Sequence, residues 1–212
     1  MMLKLLATLL CLFCLTTFVQ SEEYYCLVFS HDTHKPRPAY SHTWATFVKM
    51  NDKQKVEKEF TISWNPQTKW RLFSGKVPGY NKSLKASIED AIYDKENPRK
   101  VCMWGPYDIS KESFAKAENR YDSLNKNYMY IALDSQRTRT DKVQPATNCI
   151  HAVSDIFPGL TTGAKYGESA TQLVVDHLAE NTFIEKTEKV CLKNERVVIE
   201  LGLDKYKTIT RK

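Results

Sequence analysis

The chain has 212 residues, and its 31 Lys and Arg against 25 Asp and Glu give a formal net charge of +6. Acidic and basic residues are interspersed, without the clustered Lys and Arg that form a nucleic-acid-binding surface. The composition therefore argues against a nucleic-acid partner and predicts a soluble surface with, at most, weak attraction to anionic polymers of a cell envelope.

The first 21 residues have the features of a cleavable signal peptide. A short basic start with Lys4 precedes an apolar segment of 15 residues, and Val19-Gln20-Ser21 fits a cleavage site. This segment is too short for a typical membrane span, and no later segment approaches that length. We therefore expect 1–21 to be a signal peptide, with a retained N-terminal anchor as the alternative. Residues 22–212 should form one secreted or periplasmic domain without a stable membrane span.

Four cysteines remain after signal cleavage: Cys26, Cys102, Cys149 and Cys191. In an oxidising compartment an even number of cysteines predicts disulfides, here two bonds with three possible connectivities. Their wide spacing includes no C-x-x-C pair, which argues against a zinc knuckle and against a dithiol redox motif. A non-catalytic, secreted, disulfide-bonded binding module is therefore one interpretation of the sequence.

Strands dominate the predicted structure of the first third of the chain. Segment 23–30 is rich in aromatic and β-branched residues, and a strand resumes at 42–50 after a proline-containing stretch. A turn at 51–53 leads to a third strand at 55–65, which makes a β-hairpin. The residues of 42–50 alternate between two faces, with Thr43, Ala45 and Phe47 on one and His42, Trp44, Thr46 and Val48 on the other.

Helices and short strands follow. Apolar residues at helical spacing predict four helices, at 82–97, 111–127, 149–157 and 167–181. The first stops at Asn97-Pro98. Ser110 is the N-cap of the second, and Thr147 or Asn148 is the N-cap of the third. Further strands are predicted at 101–107, 128–134 and 195–203, and 208–212 is interpreted as a frayed tail. Together these elements predict an α+β domain in which a small antiparallel β-sheet packs on three or four helices.

Cys149 is the candidate nucleophile. It follows a polar segment and opens an apolar helix, where the helix dipole and the first N–H groups favour a thiolate. A thiolate nucleophile needs an imidazole that passes a proton to the leaving group. His151 lies about 200° around the helix from Cys149, and His177 lies in an amphipathic helix, so both are interpreted as structural. His42, at the start of a strand, is the candidate base.

The remaining histidines raise one alternative. His31 and His34 lie at a proline-containing stretch, and together with His42 their spacing invites a metal site. No structural zinc pattern matches this spacing. The sequence therefore implies neither a metal nor a cofactor.

The segment Asn148-Cys149-Ile150-His151 resembles the Asn-Cys-x-His nucleophile motif of the circularly permuted papain-like hydrolases and acyltransferases, the group that includes lecithin:retinol acyltransferase. In that group the catalytic histidine stands on a strand N-terminal to the cysteine, the place that Ser41-His42-Thr43 takes here. The resemblance implies a permuted papain-like fold with Cys149 as nucleophile at a helix N-terminus and His42 as base. The group often places a polar residue on the next strand. Three polar residues share one face there, namely Thr61, Ser63 and Asn65, of which Ser63 or Asn65 would orient the imidazole.

Such a fold implies cleavage or transfer at an amide, ester or thioester carbonyl. Cys149 would attack the carbonyl, an acyl-enzyme would form, and His42 would protonate the leaving group and then activate water or an acceptor. The N–H of Cys149, with a neighbouring side chain, would bind the oxyanion. For an exported enzyme, the expected substrates are envelope peptides, such as peptidoglycan crosslinks, or acyl lipids.

Overall fold

The structure, a computed structural model, describes residues 22–32, 41–68, 75–93, 99–132, 145–163, 165–185 and 192–212. This part of the chain is a mixed α+β arrangement with two sheets and five α-helices, in agreement with the predicted fold class. None of the helices in these ranges is long and apolar enough to span a membrane. The predicted signal peptide at 1–21 lies outside the described residues, as do His34 and Cys191.

The described part of the chain contains nine strands and five α-helices. The strands are β1 (Glu23–Asp32), β2 (His42–Met50), β3 (Val56–Ile62), β4 (Trp64–Pro66), β5 (Val77–Asn81), β6 (Lys100–Asp108), β7 (Met129–Tyr130), β8 (Ala146–Thr147) and β9 (Ile209–Arg211). The helices in the described ranges are α1 (Leu84–Ile92), α2 (Lys111–Asn127), α3 (Cys149–Ser154), α4 (Gly167–Glu180) and α5 (Leu192–Glu200).

The main sheet has the strand order β3-β2-β1-β6-β9, and each of its faces carries its own hydrophobic cluster. Alternation along β2 sends Ala45 and Phe47 to one face and Trp44 and Val48 to the other, which confirms the predicted faces. The first face packs against α2, α3 and α4, and we call it the α3 face. The second packs against α1 and α5, and we call it the α1 face.

A smaller sheet with the order β4-β5-β7-β8 adjoins the hairpin of β2 and β3. The predicted strand at 55–65 is divided at Ser63, so that β3 belongs to the main sheet and β4 to the smaller one. Of the predicted strand at 128–134, residues 128–132 are described, and among these Met129–Tyr130 form β7. β8 pairs with β7 in parallel and leads directly into α3, which places the helix with Cys149 beside the smaller sheet.

Two helix predictions are confirmed closely and two need shorter bounds. Ser110 caps α2, and α4 falls within the predicted range 167–181. α1 ends at Ile92 instead of continuing to residue 97, and the predicted stop at Asn97-Pro98 lies outside the described residues. α3 ends at Ser154 because the next N–H groups close tighter turns, Ile156 N–H donating to the carbonyl of Val153.

The predicted strand at 195–203 is wrong, since these residues lie mainly in α5. The run Val197-Val198-Ile199 favours a strand locally, but Asn194, Val197 and Val198 recur at helical spacing and are buried. The tertiary contacts that bury them outweigh the local preference. Gly202, with φ of +66°, follows the helix end as glycines in the left-handed region often do.

The predicted frayed tail at 208–212 is also wrong. β9 pairs with β6 in parallel, and the N–H of Lys212 donates to the carbonyl of Met103 at 2.9 Å. The Nζ of Lys212 lies 2.7 Å from Oε1 of Glu168. The prediction of one small antiparallel sheet is therefore wrong. There are two sheets among the described residues, and both are mixed, because the β6–β9 and β7–β8 pairs are parallel and the remaining pairs are antiparallel.

Gly167 opens α4 with φ of +57° and lies against Asp32, whose Oδ2 accepts the N–H of Glu168 at 2.7 Å. A Cβ at Gly167 would lie 1.8 Å from Oδ1 of Asp32, whereas one at Gly163, with φ of +58°, would meet nothing within 4 Å.

We expect Gly163→Ala to lower the free energy of unfolding by about 1 kcal/mol through backbone strain. Gly167→Ala should lower the free energy of unfolding by about 2–4 kcal/mol. Its methyl group would also displace Asp32, whose carboxylate accepts the N–H of Glu168 at the start of α4. Urea unfolding measures both variants, and equal losses would contradict this steric explanation.

Candidate functional site

Cys149 is the first residue of α3, and its side chain is largely buried, with 8% of the residue exposed. Asn148 caps the helix, since its Oδ1 accepts the N–H of His151 at 2.9 Å. This selects Asn148 from the two predicted caps. Ala152 and Val153, three and four residues further on, pack into the cluster of the α3 face, so Cys149 lies on the side of α3 that faces the main sheet.

Cys26, Cys102 and Cys149 carry thiols and form no disulfide, and Cys191 lies outside the described residues. Burial raises the pKa of Cys26. Burial also raises the pKa of Cys102, assisted by the nearby charge of Glu168, whose Oε2 accepts the Cys102 thiol hydrogen at 3.4 Å. Neither environment favours a thiolate, so Cys149 is the described cysteine whose position at a helix start suits nucleophilic chemistry.

His42 opens β2, and its imidazole lies on the α1 face. Its ring stacks on Trp44, with 5.7 Å between the ring centroids, and lies 5.6 Å from the ring centroid of His31. Burial, followed by the positive charges of Lys82 and Arg99, lowers the pKa of His42 to about 3. In this position the imidazole is therefore neutral at physiological pH.

Ser63 is the centre of a hydrogen-bonded cluster around His42. Its Oγ lies 2.9 Å from Nε2 of His42 and 2.9 Å from Oγ of Ser87 on α1, and it accepts from Nδ2 of Asn65 at 3.2 Å. Its backbone N–H donates to Oδ1 of Asn81 at 3.0 Å. The structure thus brings together His42, Ser63 and Asn65 and ties them to α1. Ser63 itself is completely buried.

The structure does not bring Cys149 to His42. α3 packs on the face of β2 that carries Ala45 and Phe47, and the imidazole leaves β2 on the opposite face. Within the described part of the chain, no hydrogen bond joins the two residues. Because strand side chains alternate with a period of two, position 43 points to the α3 face instead. Thr43 stands there, and its Oγ1 lies 2.8 Å from Oγ1 of Thr171 on α4.

Tyr130 is a residue of this site that the sequence did not indicate. It lies in register with Thr147, two residues before Cys149, in the β7–β8 pair. Burial, followed by electrostatic interaction with Cys149, raises the pKa of the Tyr130 phenol. The phenol stays protonated and is a hydrogen-bond donor within electrostatic range of the thiol. A strand pair between segments this far apart in sequence leaves no local signal.

His151 is completely buried, and its Nδ1 lies 3.2 Å from Oγ of Ser154 and 3.8 Å from Oδ1 of Asp155. Both partners lie at the C-terminal end of α3, at its last residue and the residue after it, as expected of a structural histidine. The carbonyls of His151 and Ala152 accept hydrogen bonds from the buried guanidinium of Arg120 on α2, each at 3.1 Å. This contact could not be predicted, because the charge of Arg120 indicates an exposed position and its partners on α3 are about 30 residues away in the sequence.

The described residues include no group of three or more His, Cys, Asp or Glu side chains that could hold a metal ion. Nη1 of Arg99 lies 3.1 Å from Nε2 of His31, so a cationic side chain already faces one nitrogen of the His31–His42 pair. Comparison of the chain with protein-family models, with curated proteins and with solved structures finds no match.

The low pKa of His42 predicts that the fold loses stability in acid. The imidazole binds its proton near pH 6.5 when unfolded and near pH 3 when folded. Between these values the unfolded state binds more protons, so stability falls as the pH falls. We expect this effect to cost about 2 kcal/mol between pH 7 and pH 5. His42→Gln, which can keep a hydrogen bond to Ser63, should lose correspondingly less.

Urea unfolding of both proteins at pH 7 and pH 5 measures the difference. Glutamate and aspartate titrate mainly below this range, so they contribute little to it. If the wild type and His42→Gln lost the same free energy, His42 could not be buried in its neutral form.

Proposed function

We propose that the chain is an exported cysteine hydrolase or acyltransferase with a permuted papain-like fold. It would act at an amide, ester or thioester carbonyl of an envelope peptide or lipid. The observation that carries the proposal is the Cys149 thiol, which opens α3 immediately after the cap residue Asn148. The element order supports it, since the strand that begins with His42 precedes the helix with Cys149.

In the proposed reaction, Sγ of Cys149 attacks the carbonyl carbon, and the carbonyl oxygen takes up negative charge. The N–H of Cys149 and the phenol of Tyr130 are the groups suited to stabilise this oxyanion. The carbon–leaving-group bond then breaks, and the leaving group departs with a proton. Water or an acceptor nucleophile attacks the resulting acyl-enzyme and regenerates the thiol.

This mechanism makes a specific demand on His42. To take the thiol proton, its imidazole must reach the α3 face, which breaks the hydrogen bond to Ser63. His42 is the first residue of β2, so turning it changes the end of the strand pair and leaves the other pairs in place. Leaving the buried position also removes the desolvation that lowers the pKa of His42, which makes the imidazole a stronger base.

A second candidate function is an exported binding module without catalytic activity. The observation that favours it is the packing of His42 on the α1 face, hydrogen-bonded to the buried Ser63, with Thr43 on the face that receives α3. In this alternative Cys149 is a packed thiol. Such a binding module would lack the disulfides that the cysteine count predicts, because Cys26, Cys102 and Cys149 form none.

The pH dependence of iodoacetamide labelling, mapped by mass spectrometry on the unreduced protein, distinguishes the two functions. For the enzyme we expect Cys149 to reach half-maximal labelling below pH 7, because a neighbouring imidazole stabilises its thiolate. His42→Gln should move that midpoint upward by about 1 pH unit or more. Cys26 and Cys102, whose pKa values are raised, are internal controls. A midpoint near the ordinary value of about 8.5 in both proteins would assign the chain to the second function.

Tyr130→Phe tests the oxyanion assignment, since it removes the hydroxyl and keeps the ring. We expect the rate of acyl-enzyme formation with a p-nitrophenyl ester, followed by mass spectrometry, to fall about 100-fold. Tyr128→Phe is the matched control. It keeps the ring, whose centroid lies 4.5 Å from the guanidinium carbon of Arg120, and removes a hydroxyl that has no part in the proposed reaction. Similar losses in both variants would attribute the effect to packing and remove Tyr130 from the mechanism.

A further inference from the structure

Arg120 occupies an unusual position for a charged residue. Of the Lys and Arg side chains in the described part of the chain, it alone is buried, with 9% of the residue exposed. A buried guanidinium is costly unless hydrogen bonds and compensating charge satisfy it. Its partners therefore indicate what the residue holds in place.

The first group of partners belongs to α3. Nε of Arg120 donates to the carbonyl of Ala152 and Nη2 donates to the carbonyl of His151, each at 3.1 Å. Nη2 also lies 3.9 Å from Oδ2 of Asp155, the residue after the helix. A helix of six residues has little stability of its own, so contacts from outside determine where it lies. Two forked bonds to successive carbonyls fix both its position and its rotation.

The second partner precedes β7. The ring of Tyr128 lies 4.5 Å from the guanidinium carbon of Arg120, which is a cation–π contact. Tyr128 is followed by β7, whose Tyr130 is within electrostatic range of Cys149. Arg120 of α2 thus contacts both α3, which begins with Cys149, and Tyr128, the residue that leads into β7.

We propose that Arg120 is a positioning residue, which holds α3 and β7 in the arrangement that the Cys149 thiol needs for reaction. The inference rests on the proposed function, because Cys149 is the reacting group. Lysine keeps the charge but cannot form the forked pair of bonds, so α3 gains freedom to rotate. A displacement of about 1 Å at a reacting group is enough to change a rate strongly.

Arg120→Lys is the test, read as the iodoacetamide labelling rate of Cys149 and its pH profile in protein that circular dichroism shows to be folded. We expect the rate at pH 7 to fall at least about tenfold. Two controls accompany it. Arg211→Lys changes an exposed arginine that is paired with Glu195. Ile88→Val loosens the hydrophobic cluster of the α1 face. Neither change should alter the labelling rate of Cys149.

An unchanged rate and pH profile in Arg120→Lys would overturn the inference, as would an equal fall in Ile88→Val, which would show a general effect of stability. If Arg120→Lys does not fold, Tyr128→Leu tests the same arrangement, and an unchanged Cys149 rate there overturns it too. Failure of the proposed function has a different signature. It appears in the wild type, as a labelling midpoint near pH 8.5, whereas the positioning role is judged from the difference between wild type and variant.

Discussion

The covering of the main sheet on both faces decides which side chains of this protein can meet. Neighbouring residues of β2 point to opposite faces, so the imidazole of His42 stacks on Trp44 on the α1 face while the hydroxyl of Thr43 meets Thr171 on the α3 face. A register shift of one residue would exchange the faces of Trp44 and Phe47, both fully buried, and each such side chain contributes about 1.5–3 kcal/mol by its burial. Because His42 is the first residue of β2, its side chain can turn without a change in the register of the strand.

The cluster around Ser63 holds His42 on the α1 face by hydrogen bonds. Ser87 and the amide of Asn65 both donate to Oγ of Ser63, at 2.9 Å and 3.2 Å. With these two hydrogen bonds accepted, the Ser63 hydroxyl has its own hydrogen to donate to Nε2 of His42, 2.9 Å away. This arrangement needs a neutral imidazole, and burial, followed by the positive charges of Lys82 and Arg99, lowers the pKa of His42 far enough to provide one.

The sequence predicted those parts of the structure in which local preference and burial agree. α2 begins after Ser110 as expected, and the alternation of β2 is read directly from its residues. The sequence predicts a strand where α5 lies, because three β-branched residues in a row, Val197-Val198-Ile199, favour a strand locally. The short strands β8 and β9 depend on partners distant in sequence. For the same reason, which face of β2 receives α3, and hence the separation of His42 from Cys149, could not be predicted.

The shortness of α3 changes what can activate the thiol. The helix that the sequence predicts over 149–157 would favour a thiolate through its dipole, but α3 ends at Ser154 after six residues. Even a longer helix stabilises a charge at its end by about 0.3–1 kcal/mol, which is less than one pKa unit. That is too little to bring a thiol from about 8.5 to below 7. Strong activation of Cys149 therefore needs a neighbouring positive charge, and in the proposed mechanism that charge is the imidazolium of His42. Low-pH reactivity of Cys149 that depends on His42 would thus be evidence that His42 leaves Ser63 and crosses to the α3 face.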